Sequence, residues 1–356
     1  MNLYKRKVKL FIFALFIIPL VGIINYIIDP SQQYRVDTFY KVAFSNERFQ
    51  NAGFSKNFEY ESVVLGTSMA ENFIINEVEE QLGFKKALKL CIAGGTAKEQ
   101  SETIKTALSN NPSIKDILWG LDTFAFLGEP ETLKFGKNSF PFYLYDDNIL
   151  NDYKYLLSID TLKDSVKTLI KAYIKQDDDI SYNYNKMFQS QHFDNEKFTK
   201  ENIKKEWANR NRIFSKQEIQ TLKFNYLKKN FEMNFLSILK NNPNIKFKIF
   251  FPPYSILTYK LFEEKKVLFD TLKFKQYLYE ILLLLENVEL YDFQREETIT
   301  HNLKNYKDLG HYHQEINTWI LKRINNRNHL VEKEYSNEYL NTFSQDIQNY
   351  NLPQDF

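Results

Sequence analysis

The chain of 356 residues has little of several features that assign a sequence to a class of proteins. Its only cysteine is Cys91, so no disulfide can form within the chain. Cys91 lies in an apolar run, where it is interpreted as a small buried hydrophobic residue. The formal net charge is only +2, which provides no basic field to attract nucleic acid. The sequence also contains no internal repeat, low-complexity block or Gly/Ser linker.

The chain is long and rich in aromatic residues. A chain of this length can bury a large core, either in one elaborated domain or in two small ones. Aromatic residues make up 16% of the sequence, with 31 Phe and 23 Tyr. This composition favours aromatic-rich packing and pockets with aromatic walls.

The N-terminus carries a basic cluster followed by a long apolar run at residues 10–28. The cluster consists of Lys5, Arg6, Lys7 and Lys9. About 20 apolar residues are needed to span a bilayer as a helix. The pattern predicts a cytoplasmic basic segment at 1–9, a transmembrane signal anchor at 10–28 and an extracytoplasmic location, at the cell membrane, for the rest. A cleaved signal peptide and a buried soluble helix are the alternatives, but no small-x-small cleavage site follows the run.

Beyond a polar and aromatic connector at 29–60, short apolar runs alternate with helix-compatible stretches. The runs predicted as strands are 61–66, 87–93, 114–121, 245–251 and 288–293. The stretches predicted as helices are 97–109, about 259–286 and 308–325. Strands and helices alternating at this spacing are typical of parallel crossovers. We therefore predict a three-layer α/β/α domain, flavodoxin-like, at 61–325, with about five parallel strands.

Two regions depart from this alternation. Residues 126–241 are charged and mostly helical in pattern, and we interpret them as an insertion over the carboxyl edge of the sheet, a cap or a partner surface. Ordinary crossover helices with long loops are the alternative. Residues 326–356 are polar and are predicted to form a peripheral tail.

The segment Gly66-Thr67-Ser68 follows the first predicted strand directly. A serine on a strand-to-helix turn lies close to helix N-terminal amides and is a candidate nucleophile. Far downstream, Asp308 and His311 offer an acid and a base three residues apart. Acyl transfer needs a nucleophile, a base and a group that orients the base, so these residues predict a catalytic triad. A helix-capping serine and a surface histidine are the structural alternatives.

Three histidines and an aspartate near the end of the predicted domain form a candidate metal site. His301, Asp308, His311 and His313 crowd into one stretch, and such residues can bind zinc. His311 and His313 share a side on an extended segment but diverge on a helix, and we predict neither a metal nor a cofactor.

Tyr254 and Ser255 follow the fourth predicted strand, at the edge where ligands of α/β sheets bind. They are candidates for contacting a sugar or an acyl group. The alternative is a strand terminator with a buried tyrosine.

The motifs resemble those of the SGNH (GDSL-like) hydrolase superfamily. More narrowly, they are similar to those of the membrane-anchored, extracytoplasmic SGNH-like proteins found with polysaccharide O-acetylation systems. The resemblance covers roughly 61–325 without the insertion. Ser68 stands at the position of the nucleophile, Gly94 at that of an oxyanion-hole glycine, and Asp308 and His311 match the last motif.

This resemblance implies a serine-dependent esterase or acyltransferase that acts on O-acyl groups, most often acetyl, of a cell-surface glycan. It also implies an oxyanion hole that includes the backbone amides of Ser68 and Gly94. The same resemblance allows an alternative, a non-catalytic partner or glycan-binding module of a multi-pass membrane acyltransferase.

The third motif of the superfamily reads Gly-x-Asn, but this chain has Gly120-Leu121-Asp122. An ionised carboxylate accepts hydrogen bonds and would repel an oxyanion, which prefers donors. One donor fewer costs on the order of 3 kcal/mol of transition-state stabilisation. Three alternatives follow: Asp122 is protonated and donates, it has another role such as orienting a loop, or the protein is a weak or inactive member.

Overall fold

A computed structural model describes residues 3–36, 39–40, 44, 46–175, 197–354 and 356. Parts of the predicted basic segment (1–2) and of the predicted insertion (176–196) therefore lie outside the described residues. The centre of the fold is a five-stranded sheet in which every pairing is parallel. The strands are β1 (Ser62–Leu65), β2 (Ala87–Lys89), β3 (Asp116–Gly120), β4 (Lys246–Phe251) and β5 (Val288–Asp292).

The strands lie in the order β2-β1-β3-β4-β5, which is the order of flavodoxin-like sheets. The prediction of an α/β fold with about five parallel strands is confirmed. The second strand is shorter than predicted, although the chain continues along β1 beyond Lys89. There the amides of Leu90 and Ile92 donate to the carbonyls of Val64 and Gly66. The apolar run thus marks the course of the chain correctly and overestimates the length of the regular strand.

Helices surround the sheet and connect its strands. In the first half of the chain they are α1 (Leu3–Ile28), α2 (Glu47–Asn57), α3 (Ser68–Glu71), α4 (Ile75–Leu82), α5 (Ala97–Asn110), α6 (Phe142–Tyr145), α7 (Tyr153–Leu156) and α8 (Ile159–Ile170). In the second half they are α9 (Lys200–Ala208), α10 (Lys216–Thr221), α11 (Phe224–Phe231), α12 (Ser237–Asn241), α13 (Ile256–Glu264), α14 (Leu268–Leu282), α15 (Glu297–Thr300), α16 (Gln314–Asn325) and α17 (Ser336–Asn349).

Both faces of the sheet are covered, as the contacts of β4 show. Successive side chains of this strand point to opposite faces of the sheet, and each meets the layer on its own side. The ring of Phe250 contacts that of Phe73 at 5.6 Å, next to α4, and α4 packs against α16. The ring of Phe251 instead contacts Tyr279 of α14 at 6.0 Å. Burial on both faces explains why the sequence shows the strands as continuous apolar runs.

The predicted insertion contains the connection from β3 to β4. Helices α11 and α12 are joined by a short π-helical segment, Glu232–Leu236, that packs against α5. Phe235 of that segment stacks on Trp119 of β3, with ring centroids 4.2 Å apart. Part of the predicted insertion is therefore an ordinary crossover that covers the sheet.

Two of the predicted helices differ from those in the structure. The helix predicted at 259–286 is two helices, α13 and α14, separated at Lys266, whose backbone is left-handed (φ 58°). The helix predicted at 308–325 begins only at Gln314. Residues 308–313 instead form a turn, because the Asp308 side chain accepts from the backbone amides of Gly310 and His311.

The segments predicted as connector and tail both contain helices that bury residues. Helix α2, within 29–60, packs against α5 and buries Phe54 and Arg48. Helix α17, within 326–356, packs against α13 and α14 and buries Phe343 and Ile347. Both segments therefore belong to the folded body.

The predicted membrane segment 10–28 forms the larger part of α1. Within the described residues, no helix combines the length and the apolar character needed to cross a membrane.

A buried ion pair joins α2 to α5. Arg48 donates from Nε and Nη2 to the two carboxylate oxygens of Glu99, at 3.1 and 2.9 Å. The two side chains are 7% and 0% exposed. Glu99 also accepts from the backbone amides of Thr96 and Lys134, and Arg48 donates to the carbonyl of Ala93. The pair thereby fixes the loop after β2 and the segment that passes over it.

We expect Glu99→Gln to lower the free energy of unfolding by about 3–5 kcal/mol, because it leaves the Arg48 guanidinium buried without an opposite charge. Urea denaturation followed by far-UV circular dichroism measures this change. Glu102→Gln is the matched control on the same helix, since Glu102 is 25% exposed and forms surface ion pairs. Equal effects of the two substitutions would contradict a special role of the buried pair.

Candidate active site

Ser68 is the first residue of α3 and lies directly after β1. Gly66 makes the turn possible, since its φ of 147° is unfavourable for other residues and a Cβ would lie 3.0 Å from that of Ala70. Thr67 caps the helix by accepting from the Met69 amide. The capping role that the sequence left open for Ser68 thus belongs to Thr67, and the Ser68 hydroxyl is available for other contacts.

The turn at 308–311 presents His311 to Ser68. Asp308 Oδ1 accepts from the amides of Gly310 and His311 at 2.9 and 2.8 Å. The same carboxylate meets the His311 ring, with Oδ2 2.8 Å and Oδ1 3.0 Å from Nδ1. On the other side of the ring, Nε2 lies 2.8 Å from Ser68 Oγ. The structure thus brings Ser68, His311 and Asp308 together in one chain of hydrogen bonds.

The charge of Asp308 settles the direction of these hydrogen bonds. Burial favours the neutral acid, but the charge of His311 and the hydrogen bonds from His311 and Gly310 outweigh it and lower the pKa of Asp308 to about 2. An ionised carboxylate only accepts, so His311 Nδ1 carries the proton. When the ring is neutral, Nε2 is then the acceptor for the Ser68 hydroxyl.

Two carbonyl groups fix the turn against the rest of the site. The Leu309 carbonyl accepts from the Ser255 amide and hydroxyl and from the Thr258 hydroxyl. The Met69 carbonyl, adjacent to Ser68, accepts from Tyr312 Oη at 3.0 Å and Asn317 Nδ2 at 3.1 Å. These contacts hold the base in position relative to the nucleophile.

Gly94 lies beside Ser68 in the wall of the same cavity. Its backbone is left-handed, with φ 57°, and a Cβ there would lie 3.1 Å from Lys134 Cε. No hydrogen bond among the described residues uses the amide nitrogen of Ser68 or of Gly94. Both amides are therefore candidates for binding an oxyanion.

Asp122 has a different role from the one that its place in the third motif implies. Its Oδ1 accepts from the Phe124 amide at 2.9 Å and from the Tyr254 hydroxyl, and its Oδ2 accepts from Thr67 Oγ1 at 2.7 Å. The two hydroxyls each accept from a backbone amide, so their own protons point to Asp122. Asp122 thus accepts three hydrogen bonds from groups of the protein itself.

Of the two residues predicted to contact substrate, only Tyr254 lines the cavity. Burial and the neighbouring Asp122 raise the pKa of Tyr254 well above its usual value, so it stays protonated and donates. Ser255 is fully buried and uses its hydroxyl on Leu309. Its contribution is to hold the turn that carries His311.

The histidines weighed as zinc ligands lie in separate environments. His301 Nε2 contacts Asp346 at 3.0 Å, and the His313 ring packs against Phe198 at 4.7 Å. Within the described residues, the ligand atoms that come within 4.8 Å of one another belong to Glu297, His301 and Asp346. This surface group includes only one of the residues that the sequence proposed.

Buried charges behind Ser68 were not foreseen from the sequence. Lys89, on β2, is fully buried and donates to the carbonyl of Glu71, three residues after Ser68. Burial lowers the pKa of Lys89 to about 8. Burial also raises the pKa of Glu71 to about 7, although Lys89 and His311 oppose this shift. The sequence gives no sign of this burial, because a lysine that alternates with apolar residues is the pattern of an exposed position.

We expect Asp122→Asn, which introduces the residue that the superfamily motif has at this place, to lower the free energy of unfolding by about 1–3 kcal/mol. The amide can satisfy only part of the three donors that the carboxylate accepts, and ester hydrolysis should not increase. Urea denaturation and kcat/KM for a small ester measure the two effects. Asp164→Asn is the control, since Asp164 is a surface residue paired with Lys167. A stable and faster Asp122→Asn variant would contradict the acceptor role.

Comparison of the chain with models of protein families, with curated proteins and with solved structures finds no match.

Proposed function

We propose that the protein is a serine-dependent enzyme that hydrolyses or transfers the acyl group of an ester. The observation that carries this proposal is the hydrogen-bond chain from Ser68 through His311 to Asp308. The distance is 2.8 Å from Ser68 Oγ to His311 Nε2 and 2.8 Å from His311 Nδ1 to Asp308 Oδ2. This geometry supplies a nucleophile, a base and a group that orients the base. An SGNH-type assignment of the domain is part of the proposal, supported by the order of the motifs and of the strands.

In the proposed reaction, Ser68 Oγ attacks the ester carbonyl while its proton passes to His311 Nε2. Asp308 stabilises the imidazolium that forms, and the amides of Ser68 and Gly94 bind the oxyanion. Collapse of the intermediate breaks the bond to the alcohol, which leaves with the proton from His311. Water or a second alcohol then attacks the acyl-serine in the same way and regenerates the free serine.

For the substrate, we propose an O-acylated glycan of the cell envelope, with acetyl as the acyl group that the family resemblance favours. This part depends on the resemblance and on the basic and apolar N-terminus. One observation favours the second candidate, a non-catalytic partner or glycan-binding module of a membrane acyltransferase. Asp122 accepts hydrogen bonds where the superfamily has a donor, so the site lacks the third donor of an oxyanion hole.

We expect the full-length protein to hydrolyse an aryl acetate and Ser68→Ala or His311→Ala to lower kcat/KM by about 1,000-fold or more, because the triad acts as a unit. Asp308→Asn should also lose most activity, since the amide no longer holds the Nδ1–H tautomer of His311. Release of the phenol measures turnover.

Ser113→Ala, at an exposed turn, is the matched control and should match the parent. Turnover that persists in Ser68→Ala would contradict the assignment of the nucleophile. Absence of turnover together with measurable binding of an envelope glycan would favour the non-catalytic module.

We also propose that the protein attaches to a membrane through one apolar surface, here called the α1/α8 surface. Its exposed residues on α1 are Leu15, Phe16, Ile17, Ile18, Leu20, Ile23, Tyr26 and Ile27. Its exposed residues near α7 and α8 are Ile149, Leu150, Tyr153, Leu157, Ile159, Val166, Ile170, Tyr173 and Ile174. Helix α1 packs against both α7 and α8, so the two sets adjoin. Apolar residues next to a basic cluster favour the surface of an anionic bilayer.

We expect the protein to float with vesicles of phosphatidylcholine and phosphatidylglycerol. The double variant Ile149→Asp/Leu150→Asp should lower the bound fraction several-fold, because two charges then face the lipid. Phe269→Asp is the control, since Phe269 is 77% exposed on α14. A bound fraction unchanged by the double variant would contradict the role of the α1/α8 surface.

A further inference from the structure

A cavity of about 330 Å³ opens beside Ser68 and His311. This volume falls at the lower end of the range of small-molecule sites, about 300–1,000 Å³. The methyl group of an acetyl ester would fill only a small part of it. The structure of the walls therefore bears on which ester the site accepts.

The walls of the cavity are mainly apolar. Their apolar side chains are Met69, Phe124, Ile213, Phe214, Leu261 and Leu309. The rings of Phe124 and Phe214 stack at 5.9 Å, and Phe262 packs behind both at 5.9 and 6.1 Å. These contacts give the wall a fixed shape.

Two buried polar side chains in the wall, those of Tyr254 and Thr258, are already engaged within the protein. Tyr254 donates to Asp122 and accepts from the Thr123 amide, and Thr258 Oγ1 donates to the Leu309 carbonyl at 2.6 Å. The two further charged side chains of the wall, Lys134 and Glu206, belong to exposed residues. Sugar hydroxyls that face the apolar side chains would lose water without gaining partners there, which is unfavourable.

We propose that the ester attacked by Ser68 carries an apolar group, an alkyl chain or ring larger than methyl, that fills this cavity. The inference rests on the proposed ester chemistry and gives an alternative to the acetylated glycan as substrate, which the experiments below distinguish from it. That group belongs either to the acyl part or to the alcohol part of the ester, since both flank the carbonyl carbon. Ile213 and Phe214 come from the segment between β3 and β4, so this segment sets the size of the site.

Two series of esters test the inference with the full-length protein. The first contains methyl esters from acetate to octanoate, and the second contains acetate esters from methyl to octyl. Acid release in a pH-stat gives kcat/KM. We expect kcat/KM to rise about fourfold for each methylene buried, in the series whose variable part occupies the cavity. The rising series identifies the acyl or the alcohol part as the occupant.

Ile213→Trp narrows the cavity from a half-buried position. The ratio to measure is kcat/KM for methyl hexanoate or hexyl acetate, whichever belongs to the rising series, divided by kcat/KM for methyl acetate. Ile213→Trp should lower this ratio by about tenfold or more. Ile219→Trp is the matched control, because Ile219 is half-buried in the same segment but does not line the cavity. It should keep the ratio of the parent.

The outcomes of these experiments distinguish failure of the apolar-group inference from failure of the proposed esterase function. Ser68-dependent turnover that does not increase with length in either series, or a ratio unchanged by Ile213→Trp, overturns the apolar-group inference and leaves the esterase in place. A preference for acetylated sugars over all the alkyl esters also overturns it. Absence of Ser68-dependent turnover with every ester overturns the proposed function, and this inference with it.

Discussion

The Asp122 carboxylate is the constraint on which the geometry of the candidate site depends. It accepts from Thr67 after β1, from Phe124 after β3 and from Tyr254 after β4. One buried group thus joins the carboxyl ends of three neighbouring strands. The joined loops carry Ser68 and an aromatic wall of the cavity, which explains why an acceptor occupies the place where a donor was expected.

The sequence predicted the parts of the fold that local chemistry determines. Apolar runs ending in turn residues located all five strands, because strands buried on both faces are mostly apolar. Ser68, Asp308 and His311 were predicted as a triad, and the structure brings their side chains within hydrogen-bond distance. Short motifs at the ends of strands carried this information, since parallel strands place their carboxyl ends at one edge of the sheet.

The features of the site that the sequence did not predict depend on contacts between residues distant in sequence. The sequence predicted that Ser255 contacts substrate, but its hydroxyl donates to the Leu309 carbonyl, 54 residues away. Lys89 alternates with apolar neighbours, which is the pattern of an exposed position, yet it is fully buried against the Glu71 carbonyl. Periodicity alone cannot reveal that a tertiary partner satisfies a charge, and this is why the strand pattern misleads at Lys89.

The segment predicted as a connector helps to shape the candidate oxyanion hole. Arg48 of α2 holds the Ala93 carbonyl, next to Gly94, and its partner Glu99 holds the amide of Lys134, whose side chain lies close to Gly94. Before α2, the Asp29 carboxylate accepts from Tyr155, and Asn25 of α1 donates to the carbonyl of Leu156. A continuous set of contacts therefore links α1 to the loop that carries Gly94. A surface that orients α1 would in consequence also orient the opening of the cavity beside Ser68.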